Sequence, residues 1–281
     1  MSDFQVEKIR TVNLNPTAEE LLLKTENIHI PLRVYRPIGF NENTKYPSVV
    51  SVRGLFEPFG VPDVSRILSL GLVAFSFTPS ERDEDRLGVL YRDSLHVVLK
   101  YIHSLSYVRK DNIGLISFSG ACIPASACLA EYSNEPPVKY WIDGEGPSDR
   151  YVVCCAIAGS EAKMRGLSGN EMAVKNWGHH LGDDSFWMPR EAFRYMNKVR
   201  CRYLRLQAEI DHVQNWFYGH AIHMLNEAVE GGVCPWIRCN SGPVNVVHKD
   251  HSTLDILPGR IRLYGDRFLR YLTEMVEMPP L

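Results

Sequence analysis

A serine, an aspartate and a histidine can together attack an activated carbonyl, and this chain holds one of each where it could be exposed. The serine is Ser119, in the run Ile113 to Cys122, IGLISFSGAC. A buried strand enters a cluster of small residues there, and a helical pattern follows. That is the layout of a nucleophile elbow, where a serine on a sharp strand-to-helix turn is held in a strained backbone conformation. The residues two before and two after it must be small because strand and helix approach closely. Here they are Ser117 and Ala121, in place of the glycines of G-x-S-x-G. The Gly120 backbone N–H, at a helix start, is then aimed at developing negative charge. The plainer reading is a Ser/Gly-rich turn with no chemistry. Pro124 falls early in the helix, so its first turn is expected to be irregular.

Such a serine needs a base and an orienting carboxylate; on a fold with a strand-to-helix elbow of this kind they come in the chain order Ser, Asp/Glu, His. Asp211 lies just past a strand end, in Glu209-Ile210-Asp211-His212; its plainer reading is a helix N-cap. The loop NSGPVNVVHKDHSTLDILPG carries His248 and His251. His251 is preferred, being nearer the final helix and followed by Ser252 and Thr253, whereas His248 follows an apolar pair. His212 and His220 precede the last strand, and His179-His180 read better as a solvated or packing pair. A second oxyanion donor is expected from Arg53-Gly54-Leu55-Phe56, through the Leu55 N–H. Arg53 either binds a substrate carboxylate, pairs with an acidic residue or is a surface charge. Phe56 and Trp187 are read with it as substrate contacts. Trp141, Trp177, Phe186 and Trp187 either line an acyl pocket or form the core of their own segment.

Alternating elements must position these side chains. Residues 27–39 alternate as a strand, and YPSVVSVRG (46–54) is an apolar run suited to a strand covered on both faces. Helix, strand, long amphipathic helix and strand follow at 61–71, 72–78, 86–108 and 112–120, with Asp111-Asn112 read as the turn before the last. Then come a helix (121–133), strands at 138–143 and 200–209, a helix (216–232), a strand (234–240) and a final amphipathic helix (260–277). Residues 144–197 break the rhythm and read as an inserted cap within one domain, 1–281. The alternation predicts an α/β fold with a mostly parallel sheet and helices on both faces.

Composition narrows the class. The 281 residues are 45% hydrophobic, enough for one sizeable core, and Lys plus Arg (31) nearly balances Asp plus Glu (33). A net charge of −2 argues against a nucleic-acid binder. No apolar run is long enough to span a membrane. The start lacks the basic and apolar regions of a signal peptide, and the seven cysteines form no CxxC pair or zinc-type spacing; a reduced, cytoplasmic protein is expected.

On the 113–122 elbow, YLRLQAEIDHVQ (203–214) and the histidine-bearing loop, residues 28–277 resemble the α/β-hydrolase superfamily. The likeness is greatest to the dienelactone-hydrolase and prolyl-oligopeptidase-like branches, and to the bile-acid-CoA acyltransferase and acyl-CoA thioesterase group. The resemblance implies an eight-stranded, mostly parallel sheet and a Ser119–His251–Asp211 triad. It also implies cleavage of a small acyl substrate (ester, lactone or thioester) through an acyl-serine, with no metal or organic cofactor. The same triad would serve acyl transfer, and a degenerate site would serve ligand binding alone. IDGEGPSDR (142–150) adds Asp143, Glu145 and Asp149 beyond a strand end. These residues recognise a polar substrate or tune the histidine, hold calcium, or form a hinge paired to Arg150 or Arg190.

Overall fold

The computed structural model describes residues 4–12, 18–52, 64–77, 89–151, 168–211, 219–260 and 265–281. Three expected site residues, Arg53, Leu55 and Phe56, lie outside them. Ten strands form the main sheet, in the order β1-β2-β3-β5-β4-β6-β7-β8-β10-β11. Its centre is parallel: β4 (Tyr46–Val52) lies between β5 (Val73–Phe77) and β6 (Val108–Phe118). β7 (Tyr140–Gly144), β8 (Arg202–Leu206) and β10 (Ile237–Cys239) follow, also parallel. At one end β3 (His29–Tyr35), β2 (Ala18–Lys24) and β1 (Gln5–Val12) run antiparallel in turn. At the other end the two-residue β11 (Gly242–Pro243) folds back on β10. Between the outermost β1 and β11 lie eight strands, the number that the family resemblance implies, and one of them, β2, was not read from the sequence.

The apolar runs became strands covered on both faces: every residue of VAFSF in β5 and YWIDG in β7 is buried. One face carries Val50, Phe75, Leu115, Trp141 and Tyr203 and packs on α2 (Val89–Ser104), α3 (Cys122–Glu131) and, further along, α7 (Gly219–Gly231). The other carries Val49, Ala74, Ile116, Ile142 and Leu204 and packs on α1 (Val64–Ser69) and α8 (Asp266–Glu277). Strand alternation sends neighbours to opposite faces, so a one-residue slip would exchange the two cores. In α8 the buried residues Phe268, Tyr271, Leu272 and Met275 recur at helical spacing, each stabilising the fold by roughly 1.5–3 kcal/mol on burial.

Between α3 and α7 the chain forms α4 (Gly169–Trp177), α5 (Asp184–Trp187) and α6 (Phe193–Met196). A capping box opens α4: Ser168 accepts from the Glu171 N–H while Glu171 accepts from the Ser168 N–H.

Two local expectations need correction. Asp111 and Asn112 are not a turn but part of β6, which begins at Val108. The strand tolerates buried Asn112 because its Nδ2 donates to Val276 O (2.9 Å) and its Oδ1 accepts from Lys139 Nζ (3.2 Å). Residues 200–209 are not one strand. β8 ends at Leu206, and β9 (Ala208–Ile210) leaves the main sheet to pair with β12 (Leu257–Arg260).

Candidate active site

Ser119 sits at the C-terminal end of β6, in the parallel centre of the sheet, with φ +53°. A non-glycine residue in that region is strained by roughly 1–3 kcal/mol and persists only where its surroundings impose it. They do so here. Ser117 and Ala121, each 1% exposed, leave no room for larger side chains. A Cβ on Gly146 would run into the Cys122 side chain. Residues Ser119–Ala121 form a 3-10 turn that leads into α3, so the first helical turn is irregular, as Pro124 suggests. Ser119 is half-buried, and the buried Gly120 lies in the first turn, where helix N–H groups lack an intrahelical acceptor. Cys122 is no rival nucleophile: burial, then the Asp143 charge, pushes its thiol pKa well up, and its Sγ donates to Pro147 O (3.3 Å).

Next to Ser119 is a second strained residue. Phe118 is in register with Gly144, so Ser119 and Glu145 (φ +48°) are neighbours on the sheet edge. Glu145 is 2% exposed, and its N–H donates to Leu206 O (3.0 Å).

Beneath this edge lies a row of polar residues. Ser117, Asp143 and Arg205 are register partners on β6, β7 and β8, pointing to the face that carries α3 and α7. Both Asp143 and Arg205 are wholly buried. Arg205 Nη1 meets Asp143 Oδ2 at 2.6 Å, and Tyr203 Oη donates to the same oxygen (3.1 Å). Ser117 Oγ donates to Asp143 Oδ1 (3.1 Å) and accepts from Trp141 Nε1 (2.8 Å). Burial is the largest single influence and disfavours the charged guanidinium, but Asp143 foremost, together with Tyr203 and Cys122, raises the Arg205 pKa on balance.

Asp211 follows β9 and is 2% exposed. Its Oδ2 accepts from Gln207 Nε2 (3.2 Å) and lies 3.3 Å from His220 Nε2, within ion-pair range but off the line of a hydrogen bond. His220 is fully buried at the start of α7, with Nδ1 2.8 Å from Gly146 O and 3.0 Å from Arg205 Nη2. His220, which the fold places beside Asp211, is a histidine that the sequence ranked low. His251 is exposed on a 3-10 turn (His251–Thr253) whose Ser252 N–H is capped by Asp250 Oδ1 (2.8 Å). His248 is half-buried, its Nδ1 2.6 Å from Thr253 Oγ1, and its buried Nε2 has no hydrogen-bond partner among the described residues. The pairing of β12 with β9 carries the end of this histidine loop back to the strand that precedes Asp211.

The acidic cluster divides. Asp143 pairs with Arg205, not with Arg150 or Arg190. Arg150 instead binds Asp184 (2.6 Å) and Glu191 (2.7 Å), joining the chain after β7 to the segment around α5 and α6. Asp149 accepts from Tyr151 N–H (2.9 Å) and lies 3.4 Å from His223 Nδ1. Among the described residues no three His, Cys, Asp or Glu side chains are grouped to hold a metal ion. Trp187 is 1% exposed, packed edge-on against Trp177 and Phe186, with its Nε1 donating to His180 O (2.8 Å). No helix among the described residues is long and apolar enough to cross a membrane.

The strand order, the crossover helices on both faces and the strained serine after the central strand define the α/β-hydrolase fold. Solved structures of that fold match over most of the chain. Porphyromonas gingivalis dipeptidyl peptidase 4 is 16% identical over 92% of it, with a TM-score of 0.61. Acetyl xylan esterase 1 from Thermoanaerobacterium sp. is 10% identical, covering 98% of this chain and 88% of the esterase, with a TM-score of 0.60. A 2,6-dihydroxy-pseudo-oxynicotine hydrolase is 19% identical, covering 94% of this chain and 69% of its own, also at 0.60. The chain spans only 34% of the P. gingivalis peptidase and 35% of a dipeptidyl aminopeptidase IV from Bacteroides ovatus. At these identities the likeness is one of fold. No protein-family model and no curated sequence matches the chain.

Proposed function

We propose that the protein is a serine hydrolase that cleaves a small carboxylic ester, lactone or thioester through an acyl-Ser119 intermediate. The observation that carries this reading is the φ of +53° at Ser119, at the end of a central parallel strand. A plain Ser/Gly turn has no need to hold a serine there; a nucleophile that must stand clear of the strand does. His251 takes the Ser119 proton as Oγ attacks the carbonyl carbon, and Asp211 orients the imidazole. The Gly120 N–H, with the Leu55 N–H expected from the sequence, holds the oxyanion. The imidazolium returns its proton to the leaving group, and water, activated by the same ring, releases the acid.

A second reading has one observation in its favour: Asp211 meets buried His220. A site whose acid is committed in that way would bind an acyl ligand without turning it over. Labelling by a fluorophosphonate separates the two. Wild type should label at Ser119, and Ser119→Ala should lose both the label and turnover of short-chain esters and thioesters, by a factor on the order of a thousand or more. His251→Ala should be similarly inactive. Loss in His248→Ala with activity kept in His251→Ala would move the base, and an unlabelled, folded wild type would leave only the binding reading. Hydrolysis is distinguished from acyl transfer by comparing water with amines as acceptors for one acyl donor.

A further inference from the structure

Gln207 is wholly buried between β8 and β9, and its side chain joins the Arg205 cation to Asp211. Arg205 Nη2 and Nε donate to Gln207 Oε1 at 2.7 and 3.2 Å. A guanidinium has only donors, so the amide oxygen must face it and the amide nitrogen must face away. Nε2 then donates to Ala208 O (3.1 Å) and Asp211 Oδ2 (3.2 Å). The reverse orientation would turn Oε1 toward those two acceptors and Nε2 toward the Nε–H and Nη2–H donors of Arg205, leaving bonds unmade on both sides. The backbone is held as firmly: Gln207 N–H donates to Asn240 Oδ1 (3.2 Å), and Asn240 Nδ2 donates to Gln207 O (2.9 Å). Arg205 in turn cannot rotate, because Asp143 (2.6 Å) and Gly146 O (2.9 Å) take its Nη1.

We propose that Gln207 is a positioning residue for the acid of the triad: Arg205 fixes its amide so that Nε2–H is always presented to Asp211 Oδ2, which holds the carboxylate that orients the catalytic histidine. The proposal rests on the hydrolase reading for its catalytic consequence but not for its geometry. The chain of contacts runs from Ser117, two residues before the nucleophile, through Asp143, Arg205 and Gln207 to the acid. Nucleophile strand and acid loop are thereby held in one frame. Among the described residues, the charged and titratable groups along this relay include Arg205 on β8, Asp143 on β7 and His220 on α7, and a change at Gln207 alone alters none of them chemically.

Two variants test it. Gln207→Met keeps the length and removes donor and acceptor; Gln207→Glu keeps an acceptor for Arg205 and removes the donor to Asp211. Both should lower kcat on the order of ten-fold with KM within about two-fold, and both should shift the pH dependence of kcat/KM. Carbon-13 titration of the Asp211 carboxyl should give a higher midpoint in both variants than in wild type, since a hydrogen bond to the ionised form has been removed. A kcat and pH profile unchanged in Gln207→Met would overturn the proposal. So would a loss of activity that only follows a fall in Tm. If the wild type neither labels at Ser119 nor turns over any ester or thioester, the hydrolase reading fails by itself. The carboxyl titration still decides the relay: a raised midpoint supports it, and an unmoved one overturns it.

Discussion

At the C-terminal edge of the sheet, buried Arg205 meets a carboxylate; at the other end of the same strands, buried Lys139 meets neutral oxygens. Lys139 precedes β7, is 4% exposed, and donates to Val276 O (2.7 Å) and Asn112 Oδ1 (3.2 Å). Val276 belongs to the last turn of α8, so the ammonium faces the negative end of a helix. That is weaker compensation than Asp143 gives Arg205. Burial first, and then the charges of Arg202 and Arg109, lower the Lys139 pKa to about 8. Arg205 is shifted the opposite way by its carboxylate. Both cations are buried, but Arg205 has a carboxylate beside it and is the stronger base to begin with, whereas Lys139 has only neutral acceptors and releases its proton more readily. In this molecule the compensated pair lies beneath Ser119, in the polar row that leads through Gln207 to Asp211.

The largest effect should come from breaking the compensated pair. Arg205→Met leaves Asp143 buried against two hydroxyls and should cost about 3–5 kcal/mol in urea unfolding. Adding Asp143→Asn to it removes the stranded charge and should recover most of that loss. Lys139→Met strands no charge and should cost less, about 1–3 kcal/mol, from two unpaired acceptors. Equal losses at the two ends would break the distinction, since compensation would then not matter.

Ser117→Ala sharpens the same comparison at lower amplitude. It removes the donor to Asp143 Oδ1 and the acceptor for Trp141 Nε1 without touching the ion pair. A loss of about 1–3 kcal/mol is expected, with the Arg205 contact intact by structure determination. A neutral outcome would mean that the ion pair alone satisfies Asp143.

How much of this was legible in the sequence follows from how local each feature is. The elbow could be read because its constraint is local: Ser117, Ser119, Gly120 and Ala121 lie within five consecutive positions. The apolar runs of β5 and β7 could be read because a strand covered on both faces has no polar alternation. The polar row could not. Ser117 and Asp143 are 26 residues apart and Asp143 and Arg205 are 62, and only the parallel register brings them level. The sequence therefore offered nearby Arg150 as a partner, whereas the structure uses it to bind Asp184 and Glu191. His220 was ranked low for preceding the last strand, yet the start of its helix brings its ring to 3.3 Å from Asp211. The one signal that could have raised it is a histidine at the start of an apolar helix, on the buried face with Ala221, Met224 and Leu225. The split between β8 and β9 was hidden for a related reason. RYLRLQAEI carries no Gly or Pro to mark a break, and where the first strand ends, after Leu206, Gln207 exchanges hydrogen bonds with the distant Asn240.

A pH series, in which each half-unit step changes stability by less than about 1 kcal/mol, tests the uncompensated end alone. Lys139 has a folded pKa of about 8 against an ordinary 10.5. Between those values the unfolded chain holds a proton that the folded chain has released, so this group makes stability rise with pH. The slope is at most about 1.4 kcal/mol per pH unit. Below pH 8 both states carry the proton and the full cost of burying the charge is paid; above about 10.5 neither does, and the contribution is level again. Cys201 and Tyr203, whose pKa values burial raises, act in the opposite sense, but equally in wild type and in Lys139→Met. The stability of wild type relative to Lys139→Met, measured by urea unfolding at half-unit steps from pH 7 to pH 10, should therefore climb once the pH passes about 8. A flat difference would place the Lys139 charge in an environment as well compensated as that of Arg205, and the contrast between the two ends of the sheet would vanish.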